Sequence, residues 1–163
     1  MRRKSRQRLL LLLGVTALLG WALWQRGQDL RAAPGTLLAL DPATITQVEL
    51  RLRHGPAEHY RKHDGHWWRT DGTPARADDG RLDELTAIAQ APVLDWRVAA
   101  AFDPAKIGLA PPLAVLRLDG RTLAFGETAV TGPLRYVRVG ARIARVSVRY
   151  TPRPARDAAT PIR

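Results

Sequence analysis

The 163-residue sequence contains no cysteine. That excludes a disulfide scaffold, a cysteine-ligated zinc site, a thiol nucleophile and a lipobox-type lipoprotein anchor. A domain of this chain placed outside the cytoplasm must therefore be stable through its core alone. Serine is almost as scarce. Ser5 lies in the N-terminal basic stretch and Ser147 falls mid-strand, so a serine-nucleophile mechanism has no residue to use. No GxxxxGK[ST] or GxGxxG run is present, which removes the common phosphate-cradling loops. The carboxylates form no glycosidase, protease or phosphotransfer pattern: Asp78-Asp79 suits a helix cap, Asp83-Glu84 the solvent face of that helix, and Glu127 a loop. With no catalytic residue, cofactor site or metal site to assign, the chain is expected not to be an enzyme.

Lysine is limited to Lys4, Lys62 and Lys106, yet the net charge is +11. Arg2, Arg3, Lys4, Arg6 and Arg8 supply five of those charges, which leaves the remainder at +6. That balance, in a sequence also rich in Ala, Gly and Pro, reads as the composition of a GC-rich genome and does not call for a nucleic-acid partner. Apolar residues make up 45% of the chain, enough to build a core.

Leu9 to Trp24 is an uncharged apolar run that Gln25 can lengthen. It approaches the roughly 17 to 25 residues of a membrane-spanning helix, and Trp21 and Trp24 lie where an interfacial aromatic belt falls. The preceding arginines predict a cytoplasmic N-terminus by the positive-inside rule. The alternative, a cleaved signal peptide, wants a small-x-small site, and Arg31-Ala32-Ala33 has an arginine in place of the first small residue. The expected organisation is a cytoplasmic tip at 1–8, a signal anchor at 9–25 in the inner membrane, a linker at 26–43, a periplasmic domain at 44–150, and a Pro-rich tail at 151–163. Leu37 to Leu40, within the linker, is apolar enough to dock on the domain.

Within the domain the apolar period is mostly two. Val48, Leu50 and Leu52 alternate with Glu49, Arg51 and Arg53. Asp64-Gly65 and Asp119-Gly120 are hairpin turns, and Gly140-Ala141 suits a type II′ turn. A two-residue turn at Asp64-Gly65 pairs His63 with His66, Lys62 with Trp67, Arg61 with Trp68 and Tyr60 with Arg69. At Gly140-Ala141 it groups Val137, Val139, Ala144, Val146 and Val148 on one face. Leu82, Leu85, Ile88 and Ala89 mark one face of a helix capped by Asp78 or Asp79 and stopped by Pro92. The expected fold is α+β: about eight short strands in antiparallel meanders, with one helix between two β halves.

This order of features resembles the DUF4340 family of exported, often membrane-anchored bacterial proteins. The residues that carry the resemblance are Asp64-Gly65-His66-Trp67, Leu82 and Leu85, Ile107-Gly108-Leu109 before Pro111-Pro112, Phe125-Gly126, and Arg135-Tyr136-Val137-Arg138. The resemblance covers about residues 44 to 150. It implies a short, single-unit member with an accessory role at the envelope, since some members are encoded beside ABC-transporter and gliding-motility components. It implies no catalytic residues. Trp67 would be a core anchor, Gly108 and Gly126 turn formers, and Tyr136 a packing residue.

Two constellations remain. His54, His59, His63 and His66 are close in sequence, and imidazoles at such spacing can hold a transition metal, although hairpin residues of this kind are usually solvated. Outward parity also groups Trp68, Arg61, Arg51, Arg53, Arg138 and Arg145 as a candidate interaction surface. The expected partner is another envelope protein or transporter component. A polyanion or glycan is the alternative, and no small-molecule substrate suggests itself.

Overall fold

The computed structural model describes residues 34–154. The expected cytoplasmic tip and membrane anchor lie outside the described residues. Among the described residues, no helix is long and apolar enough to cross a membrane.

The described chain folds around one antiparallel sheet. In chain order its strands are β1 (Gln47–Leu52), β2 (Ala57–His63), β3 (His66–Arg69), β4 (Ala75–Arg76), β5 (Val93–Val98), β6 (Ala114–Leu118), β7 (Arg121–Thr128), β8 (Leu134–Val139) and β9 (Arg142–Ser147). Their spatial order is β4-β3-β2-β1-β6-β7-β8-β9-β5. The only α-helix among the described residues is α1 (Asp79–Ala87), which tightens into a 3-10 turn at Ile88–Gln90.

This corrects the expected α+β fold with a helix between two β halves. There are no two halves. β1 pairs with β6 in register, Val48 opposite Leu118 and Leu50 opposite Leu116. Both strands carry apolar residues at every second position, so joining them continues one buried face without a break. It also satisfies two rows of backbone N–H and C=O groups that separate halves would leave bare. β5 leaves the helix and runs to the far edge beside β9. Val148, expected on the apolar face of the Gly140-Ala141 hairpin, lies beyond β9, which ends at Ser147; Val148–Tyr150 forms a 3-10 turn and Val148 N–H donates to Pro133 O at 3.0 Å.

All three hairpins take the register their turn residues predict: His63 opposite His66, Leu118 opposite Arg121, and Val139 opposite Arg142. Asp64 and Asp119 enter the left-handed region (φ 51° and 44°) with Gly65 and Gly120 following at φ 78° and 79°, the geometry of a type I′ turn. Asp119 does a second job. Its Oδ1 accepts the N–H groups of Thr46 (3.1 Å) and Gln47 (2.8 Å), which clasps the start of β1 to the β6–β7 turn.

The core lies on one side of the sheet. Val48, Leu50, Trp67, Leu116, Leu118, Leu123, Phe125, Val137 and Val146 point to that side and are buried. Leu82, Leu85, Ile88 and Ala89 cover them from above, with Ile45 and the docked Leu37 and Leu38. Each fully buried aliphatic side chain contributes about 2 kcal/mol of transfer free energy. Leu37 N–H donates to Ala91 O (3.1 Å) and Leu38 N–H to Ala89 O (2.8 Å), so the compact unit begins at Pro34, ahead of residue 44. Asp78 caps α1 by accepting Arg81 N–H at 3.2 Å, and Asp79 adds a negative charge in the first turn.

Candidate interaction face

The other side of the sheet carries most of the candidate interaction residues. Successive strand residues point to opposite faces, so parity and register together place each side chain. Ala57, Arg51, Val115, Ala124 and Arg138 form one row across β2, β1, β6, β7 and β8. His59, Glu49, Arg117 and Thr122 form the next row, and Arg76, Trp68, Arg61 and Gln47 a third. Arg51 and Arg138 are therefore three strand intervals apart, about 14 Å.

The sequence-derived surface residues separate into two groups. Trp68, Arg61, Arg51 and Arg138 lie on this face, and all are solvent-exposed. Among the described residues, none of these arginines has a carboxylate within ion-pair distance, and Trp68 is 37% exposed. Arg138 bonds only the Gly140 carbonyl, at 3.0 Å. Arg53 and Arg145 are committed elsewhere. Arg53 donates to the Pro111 and Pro112 carbonyls and lies 3.8 Å from Glu127. Arg145 grips Asp95 through Nε (2.7 Å) and its terminal nitrogen (2.8 Å). That bidentate contact, with Arg97 at 3.2 Å, holds the Asp95 carboxyl below the usual carboxylate range and pushes the Arg145 guanidinium up. Glu49 neutralises Arg117 at 3.2 Å. A shallow depression lies between Gln47, Glu49, His59, Arg61 and Arg117, with Trp68 beside Arg61 at its rim.

The histidines do not converge. His59 Nδ1 lies 2.7 Å from Asp71, His63 Nδ1 3.0 Å from Asp64, and His66 Nδ1 2.9 Å from Asp79. His54 sits in the turn after β1. Each of the three paired rings has its own carboxylate, and no group of three or more His, Asp or Glu side chains gathers among the described residues. Asp71 also accepts the His59 backbone N–H at 2.7 Å. Its partial burial would raise its pKa, but the His59 backbone, the His59 ring and Arg69 outweigh that and hold it down. Asp79 is held well below the carboxylate range, first by the Trp67 N–H it accepts at 2.7 Å, then by Arg76 and His66. It closes the free edge of β3 beside the N-terminus of α1.

One polar cluster escaped sequence reasoning. Glu58 and Tyr60 lie at inward parity on β2, and Arg81 reaches them from α1. Arg81 donates to Glu58 Oε2 and to the Tyr60 hydroxyl, both at 2.8 Å, and Tyr60 donates to Glu58 at 2.8 Å. The Glu58 and Arg81 side chains are only 17% and 16% exposed. Burial, then the Glu58 carboxylate, pushes the Tyr60 pKa up. Burial would lower Arg81, but its bonds to Glu58 and Tyr60 prevail and raise it. The available signal was a glutamate at an apolar position of an amphipathic strand. The triad ties the helix to the sheet and borders an open groove toward Pro152 and Arg153.

No family model, curated protein or solved structure matches the chain.

Proposed function

We propose that the chain is a non-catalytic interaction module of the bacterial envelope, of DUF4340 type, held at the inner membrane by residues 9–25 with its β domain on the periplasmic side. It serves as an accessory of a transporter-like or assembly complex. The observation that supports this most is the exposed basic part of the outer sheet face, on which Arg51, Arg61 and Arg138 stand without carboxylate partners and exposed Trp68 adjoins Arg61. Arg and Trp are the residues that most often anchor protein contacts. A broad, shallow basic face suits an acidic protein surface better than a small molecule. The uncharged run at Leu9–Trp24 and its basic flank support the anchor.

The test is affinity capture with the full-length chain from detergent-solubilised membranes. One stoichiometric envelope protein is expected on the wild type, lost from the Arg51→Glu/Arg61→Glu/Arg138→Glu variant. The same protein recovered equally on both would overturn the assignment of the face. Resistance of the chain to alkaline extraction, with digestion of the domain by protease added to spheroplasts, checks the anchor and its orientation.

A second reading has its own support in the depression beside Trp68, where an aromatic ring adjoins Gln47, Glu49, His59, Arg61 and Arg117. A planar ring bordered by polar groups suits an envelope glycan or polyanion. Capture of cell-wall material without a protein partner, weakened by Trp68→Ala, favours it. Binding that collapses steeply with salt marks the polyanion.

A further inference from the structure

Among the described residues the sheet has one long open edge. At the other end, β4 is two residues long and the neighbouring β3 edge is closed by Asp79, which accepts Trp67 N–H. β5 has six residues. Its N-terminal end is covered: Gly35 O accepts Val93 N–H at 3.0 Å, and Thr36 bridges Pro92. Beyond Val93 the Trp96 indole N–H still donates to Pro34 O at 2.7 Å, but no described residue bonds the outward backbone groups of the strand. Ala99 N–H donates to Ala141 O at 2.9 Å, which sets the alternation along the strand. Asp95 and Arg97 direct their backbone groups at β9, whereas Trp96 and Val98 direct theirs away from the sheet. Exposed edges are normally blunted by charged residues, proline or a bulge. This stretch has no lysine or proline, and its charges, Asp95 and Arg97, stand on the outer face. It has Leu94, the extra residue of a bulge, 56% exposed, and Val98, 64% exposed.

The sequence Leu94-Asp95-Trp96-Arg97-Val98 is self-complementary about its centre. Placed antiparallel to a copy of itself across a two-fold axis at Trp96, Asp95 stands opposite Arg97 of the second copy, and Arg97 opposite Asp95. Leu94 stands opposite Val98 of the second copy, and Val98 opposite Leu94. One alignment thus brings each Asp95, already bonded to Arg145 and Arg97 of its own chain, beside a second Arg97, makes two apolar pairs, and satisfies the outward N–H and C=O groups of both strands. A two-fold contact requires a patch to complement itself in this way. We infer that the β5 edge is a homodimerisation surface, through which two copies join their sheets into one. This rests on the edge strand alone and is independent of the basic face.

The absence of native cysteine makes introduced thiols unambiguous reporters. The full-length chain is prepared as Leu94→Cys and Val98→Cys single variants, and oxidised separately and mixed in mild detergent. Opposed Cα atoms lie about 5.5 Å apart, within disulfide reach. Two Leu94 positions would be about 13 Å apart. The expected result is a 94–98 cross-link in the mixture and none in either variant alone. Arg97→Asp, which sets like charges opposite each other twice, should weaken the dimer about tenfold. Val98→Lys, a surface change, should weaken it with the fold intact by circular dichroism. A chain that stays monomeric at every concentration overturns the inference. So does 94–94 cross-linking as efficient as 94–98, or a dimer that neither substitution weakens.

Discussion

Three aspartates set the molecule's response to acid. Asp71, Asp79 and Asp95 each hold a carboxylate with backbone N–H, guanidinium or imidazole donors, and each has its pKa lowered. In the unfolded chain they titrate near 3.9. The unfolded state therefore binds protons first as the pH falls. The stabilisation is complete above about pH 4 and is lost as the pH drops from there toward the depressed folded values. Urea unfolding measured between neutral pH and strong acid should show that slope, and Asp71→Asn and Asp95→Asn should each flatten it. The Arg81 triad makes a different prediction. Removing one partner strands a half-buried charge, so Arg81→Met should cost about 2 kcal/mol. The Glu58→Gln/Arg81→Met double variant should recover much of that loss. A double-mutant cycle by urea denaturation checks both values, and additive losses would mean the pair is not coupled.

At the scale of elements, tight backbone approaches matter most. A Cβ on Gly126 would press into the Ile107 carbonyl, and one on Gly108, held at φ 69°, would meet the Glu127 backbone and side chain. Glu127 N–H donates to Ile107 O at 2.8 Å, so the 107–109 loop is laced directly to β7. Gly126→Ala should destabilise by about 2–3 kcal/mol, read from the thermal midpoint and from urea. The hairpins were legible because Asp-Gly and Gly-Ala turns fix register locally, and the period of two then assigns each side chain its face. Asp64-Gly65 alone placed Arg61 opposite Trp68. The pairing of β1 with β6 and the placement of β5 beside β9 were not legible, because neither is set by a turn; both depend on which apolar faces meet in three dimensions. For the same reason parity located Arg51, Arg61 and Arg138 but could not show that Asp95 would claim Arg145, or Pro111 and Pro112 would claim Arg53.

For the whole molecule, strand order has a consequence in time. A chain synthesised from its N-terminus completes β1 to β4 first, yet β1 waits for a partner that begins at Ala114. Until then one side of that first hairpin array is an unpaired template. β6 to β9 follow one another as neighbours, so their contacts close short loops and should form early, whereas β1–β6 and β5–β9 close long ones and form late. Pulsed hydrogen exchange during refolding should protect the amides of β7 and β8 before those of β1. The reverse order would place the nucleus at the N-terminal hairpins. The Asp119 carboxylate, bonded to Thr46 and Gln47, then acts as a latch that cannot engage before most of the chain exists. The N-terminal strands of a nascent chain therefore keep one edge unpaired until synthesis has passed residue 119.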